Sequence, residues 1–104
     1  MRKTVSAVSH RERLIAELRA DPRLAAEYLK AAVEDEEPGV LLAALRTVVE
    51  ARGMAKVADA ARIPRESLYR ALSQRGNPRL STLLAIIKAV GFRIALSERK
   101  RRAA

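Results

Sequence analysis

The side chains with most to offer chemically lie in "ARIPRESLYRAL", residues 61–72. On a helix turning 100° per residue, Arg65, Glu66, Tyr69, Arg70 and Ser73 fall within an arc of about 140°, while Leu68, Ala71 and Leu72 fall on the other side. That inventory suits the major groove of double-stranded DNA. An arginine can donate to guanine O6 and N7 together, a carboxylate can accept from cytosine N4, and a tyrosine can pack on a thymine methyl group or bond a phosphate. Arg65 and Glu66, in the first turn, would reach deepest. Lys56 ahead of this helix, and Ser73, Arg75, Asn77 and Arg79 at its end and beyond, are placed as phosphate contacts would be. A solvated surface helix also carries charges, and Glu66 with Arg70 would serve equally as an i,i+4 ion pair contributing about 0.3–0.5 kcal/mol.

A reading helix needs elements that hold it, and the composition says what kind. Apolar residues make up 49% of the 104 positions but aromatics only 3%, so Leu, Ile, Val and Ala must form the core. Such side chains suit closely packed helices, and the expectation is an all-α fold of five to six helices. Ser9 followed by Glu12 fits a capping box, predicting a first, peripheral helix over 10–19. Asp21 and Pro22 form a cap and first-turn pair for a second helix running to about residue 34. Pro38 and Gly39 break the pattern before a third helix, which Gly53 closes. Residues 54–61 and 64–75 then read as two short helices joined by a tight turn, the arrangement of a helix-turn-helix. Ser81 is placed to cap a sixth helix that stops at Gly91. The chain accordingly divides into a helical extension (1–37), a helix-turn-helix unit (38–97) and a basic tail (98–104).

Charge narrows the partners. The net charge is +9 and the isoelectric point near 11.0, which in a small domain points to a polyanion. Acid is concentrated in residues 21–37, which hold six carboxylates against two basic residues. Its densest part is Glu34, Asp35, Glu36 and Glu37, read as crowding the negative end of a helix dipole; it offers a face to a basic protein partner or simply a solvated helix end. The tail, Arg99 to Arg102, would track phosphates or keep the terminus soluble. Cysteine is absent and His10 is the single histidine, which removes thiol nucleophiles, disulfides and Cys/His zinc sites. With neither a metal set nor a nucleophile elbow nor a glycine-rich loop, the chain reads as a non-enzyme without cofactor. No apolar run approaches the roughly 18–20 residues of a membrane span, so the expected location is the cytoplasm, with no membrane partner.

Past Gly91 the period changes. Phe92, Ile94 and Leu96 alternate with Arg93, Ala95 and Ser97, a half-buried strand pattern with no second strand elsewhere. A lone strand leaves its backbone unpaired, so the same strand of a second copy is the economical partner, predicting a homodimer. The alternative is an irregular tail folded over the core.

On "ARGM", "ESLYRALS", "GNPRLSTLL" and "KAVGFRI", within residues 41–96, the chain resembles the lambda-repressor-like (Xre-type) helix-turn-helix family. It is similar more specifically to HigA-type antidote proteins of bacterial addiction modules, a likeness that "DPRLAAEYLKAAVEDE" extends back to about residue 20. The resemblance implies an antitoxin that neutralises a RelE/HigB-like ribonuclease toxin by direct binding and, as a dimer, represses its own operon at a palindromic operator. A stand-alone Xre-type transcriptional regulator without a toxin is the other reading. The family's DNA-facing positions fall on Arg65, Glu66, Tyr69 and Arg70, with Lys56 and Ser73 near the backbone. One departure stands out: the turn usually carries Gly where this chain has Arg62, at a cost on the order of 1 kcal/mol if the position needs positive φ.

Overall fold

A computed structural model describes the backbone of residues 2–100 and the side chains of residues 10–100. The chain folds into six helices: α1 (Arg2–Ala20), α2 (Pro22–Val33), α3 (Pro38–Arg52), α4 (Met54–Ala61), α5 (Arg65–Ala71) and α6 (Leu80–Ala89). The third helix lies at the centre, packed against α1 and α2 on one side and α4 on the other, and α4 in turn supports α5 and α6. One apolar cluster runs through both halves, from Leu18 and Ala25 through Leu45, Val48 and Val49 to Leu68, Leu72, Ile86 and Val90. Its buried members are Leu, Ile, Val and Ala with the single Met54, as the composition leads one to expect, and Ala58 at 3% exposure lets α4 lie close to its neighbours.

The junctions are short because each is built from local hydrogen bonds. Asp21 alone separates α1 from α2, and its carboxylate accepts from the backbone N–H groups of Arg23 (3.0 Å) and Leu24 (3.4 Å), with Pro22 opening the helix. A single residue also joins α3 to α4: Gly53, at φ 107°, donates to the Val49 carbonyl and accepts from the Val57 N–H. At the foot of α3, the Arg19 side chain of α1 donates to the Ala51 carbonyl at 2.7 Å, giving that helix end a partner.

Several boundaries differ from those the sequence predicts. The first helix does not begin at a Ser9 cap but runs unbroken from Arg2, and it is not peripheral, since Leu18 is 1% exposed. The fifth helix is shorter than residues 64–75: it ends at Ala71, where the Ser73 hydroxyl donates to the Arg70 carbonyl at 2.9 Å and the chain turns through Gly76. The sixth begins one residue before Ser81, with Arg79 in the cap position and no side-chain cap. Residues 92–100 form no strand, and no strand occurs among the described residues. The alternating pattern at Phe92, Ile94 and Leu96 finds no second strand in its own chain, so its backbone cannot form a ladder. Nor does the tail fold over the core: Phe92 packs against it, but Ile94 is 50% and Leu96 95% exposed.

Candidate nucleic-acid interface

The helix α5 divides as its sequence predicts. Leu68, fully buried, and Leu72, 2% exposed, anchor it, while Arg65, Glu66, Tyr69 and Arg70 all lie on the solvent side. No ion pair joins Glu66 to Arg70 among the described residues, so both long side chains face solvent unpaired with each other. Lys56 is exposed in the first turn of α4. Ser73 is half-buried and its hydroxyl proton is committed to the Arg70 carbonyl, which leaves only its lone pairs for an outside partner.

The turn between α4 and α5 has a definite geometry. The Arg62 N–H donates to the Asp59 carbonyl (3.1 Å) and the Ile63 N–H to the Ala58 carbonyl (2.9 Å). Those nested bonds, with Ile63 packed against the core, are a Schellman motif whose left-handed position is Arg62, at φ 58° and ψ 45°. The position therefore does require positive φ, and an arginine there costs about 1 kcal/mol relative to an unstrained residue.

Beside α5 runs an open groove of about 640 Å³, formed by this turn, the outer edge of α5 and the loop leading into α6. Arg62, Arg70, Arg75 and Arg79 line it together with Asn77 and Thr82, and no carboxylate does. Of the candidate phosphate contacts, Ser73, Arg75, Asn77 and Arg79 line one groove, and Arg70, a candidate base contact, lines it with them. Arg62 joins them unforeseen, because sequence separation hides that the turn and the 75–79 loop face each other. Arg65, Glu66, Tyr69 and Lys56 lie outside the groove lining.

Tyr69 has a neighbour the sequence reading did not assign. The Arg46 guanidinium of α3 lies 5.9 Å from the centre of its ring, within cation–π range. Glu50, one turn along α3, accepts from Arg46 at 3.4 Å and pairs with Arg11 of α1. The i,i+4 spacing of Arg46 and Glu50 was visible in the sequence, but nothing local points to Tyr69 or Arg11.

The acidic run lies at the junction of α2 and α3. Glu34 caps the end of α2 and Glu37 precedes the first residue of α3, with the Asp35 carboxylate accepting from the Glu37 N–H at 2.9 Å. Only the first part of the run opposes a helix dipole; Glu37 sits at the positive end of the next one, where negative charge is favourable. All four carboxylates are exposed, beside the exposed Val33 and Val40. Among the described residues, no group of three or more His, Asp or Glu side chains is arranged to hold a metal, and no helix is long and apolar enough to cross a membrane.

Comparison with known proteins adds one assignment. The family described as "Probable addiction module antidote protein" matches residues 12–98, a span that takes in α2 to α6 and the second half of α1. An uncharacterised protein of Haemophilus influenzae (strain ATCC 51907 / DSM 11121 / KW20 / Rd) is 34% identical over 71 residues, covering 68% of this chain and 73% of the relative. No solved structure matches significantly.

Proposed function

Because the chain belongs to the family of probable addiction module antidote proteins, we propose that it is the antitoxin of a toxin–antitoxin module and that it binds the DNA of its own operator. In this reading α4 and α5 are a helix-turn-helix of the Xre type, and α5 enters the major groove with Arg65, Glu66, Tyr69 and Arg70 facing the bases. The observation that carries the DNA half is the groove along α5, lined by four arginines and free of carboxylates, which suits phosphate contacts beside an outward face suited to base edges. A toxin of the RelE/HigB type, an RNA-binding and hence basic protein, fits the exposed carboxylates of Glu34, Asp35, Glu36 and Glu37 between α2 and α3. The protein works in this reading as a cytoplasmic homodimer. Leu80 and Leu84 on α6, 68% and 43% exposed, together with Ile94 and Leu96, supply apolar surface for a second copy.

One preparation tests both halves. Co-expression of the tagged chain with the small basic protein of the adjacent reading frame should yield a stable complex on purification and relieve growth arrest by that protein. The chain alone should bind a duplex from its own promoter with log affinity falling against log salt at a slope of about −7, for about eight phosphate contacts per dimer. A salt-independent or absent response removes the DNA half, and failure to co-purify or to restore growth removes the toxin half.

A further inference from the structure

We infer that Arg62, the residue in the left-handed position between α4 and α5, is a DNA-backbone contact that completes the phosphate-binding groove, an inference that rests on the DNA-binding reading above. Three observations converge on it. First, Arg62 holds φ 58° in a helix-end motif that glycine enters without strain, and α6 of the same molecule ends in the same bonding pattern with Gly91 at φ 98°. The fold alone would be better served by glycine at position 62. Second, Arg62 is exposed and lines the groove with Arg70, Arg75 and Arg79. Third, no carboxylate lines the groove, and none of the four arginines takes part in an ion pair among the described residues.

Backbone strain persists where something outside the local conformation favours it. Four guanidinium groups around one open groove also repel one another. A polyanion relieves that repulsion, and a row of phosphodiesters offers successive charges to four arginines drawn from the turn at Arg62, from α5 and from the loop into α6. Phosphate contacts of this kind fix register and add affinity without reading sequence, so Arg62 is assigned affinity and not base preference. Its neighbour Arg70 belongs both to the groove lining and to the outward face of α5, which places the backbone contacts directly beside the base contacts.

The experiment compares wild type, R62G and R62K on three ligands of equal length: the promoter duplex, an unrelated duplex and a single-stranded RNA. Affinities are measured over a series of salt concentrations, with melting curves in parallel. R62G should melt no lower than wild type, because glycine is at ease in the left-handed position. It should nevertheless bind both duplexes more weakly, by a similar factor of roughly three- to tenfold, with the salt slope reduced by about 0.9 per protomer. R62K, keeping the charge, should recover most of the affinity. Unchanged duplex affinity and slope in R62G would overturn the inference while leaving wild-type DNA binding intact. A loss confined to the promoter duplex would make Arg62 a base reader, and a loss confined to RNA would reassign the groove; either result also overturns it. If wild type itself binds neither duplex, the DNA-binding reading fails and takes the inference with it, an outcome visible before any variant is measured.

Discussion

Two helices of this protein end in the same way with different residues. At the end of α4, Arg62 and Ile63 return their N–H groups to Asp59 and Ala58; at the end of α6, Gly91 and Phe92 return theirs to Lys88 and Ile87. In both, the residue after the left-handed position is apolar and packs against the core. The hydrogen-bond pattern is the same, but φ is 58° at Arg62, inside the left-handed region a side chain can enter, and 98° at Gly91, beyond it. The backbone therefore asks more strongly for glycine at 91, and the surroundings of the two turns differ as well. Around Gly91 an added Cβ would meet nothing nearer than the Arg52 guanidinium at 3.9 Å, and the turn has only to close the helix. Around Arg62 lies a groove lined by three further arginines. Where only geometry is asked of the turn, the residue is the one geometry prefers.

The largest effect should come from the apolar residue that both turns share. Phe92→Ala removes a half-buried ring from the foot of α6, and urea unfolding should show a loss of about 2 kcal/mol; Ile63→Ala, with fewer atoms to lose, should fall below that. If the order were reversed, the α4 turn would be the more tightly anchored of the two. Next in size is Gly91→Ala. Space around the new Cβ is open, so the whole cost comes from a backbone at φ 98°, about 1–2 kcal/mol in the same assay. No change in stability would mean that the chain at residue 91 relaxes freely, and the parallel with Arg62 would lose its force.

These turns also show what a sequence discloses. Junctions whose bonds are local were legible: Asp21 and Pro22 start α2, and Gly53 closes α3, because each acts on its nearest neighbours along the chain. The buried and exposed faces of α5 were legible for the same reason, since Leu68 and Leu72 recur at helical spacing. Features that depend on meetings across the chain were not. The alternation of Phe92, Ile94 and Leu96 describes a strand, but alternation cannot supply the partner a strand requires. The convergence of Arg62 with Arg79, and of Arg46 with Tyr69, depends on how α3, α5 and the loops pack. The acidic run misled in a different way: four consecutive carboxylates look like one helix end, yet Glu34 and Glu37 belong to two helices of opposite polarity at that point.

The smallest effect on stability is the most discriminating. Asparagine enters the left-handed region far more readily than arginine, because its short polar side chain bonds locally, yet it carries no charge. Arg62→Asn should therefore change the unfolding free energy by no more than a few tenths of a kcal/mol, in the stabilising direction, since the bonds from Arg62 and Ile63 to α4 are made by the backbone alone. Set beside Gly91→Ala, it separates the two demands on a helix end, one mutation making the left-handed backbone harder to hold and the other easing it while removing the guanidinium. A loss near 1 kcal/mol in Arg62→Asn would show that the guanidinium itself holds the turn together. Arg62 would then be a structural residue like Gly91, and its place on the groove would need no ligand to explain it.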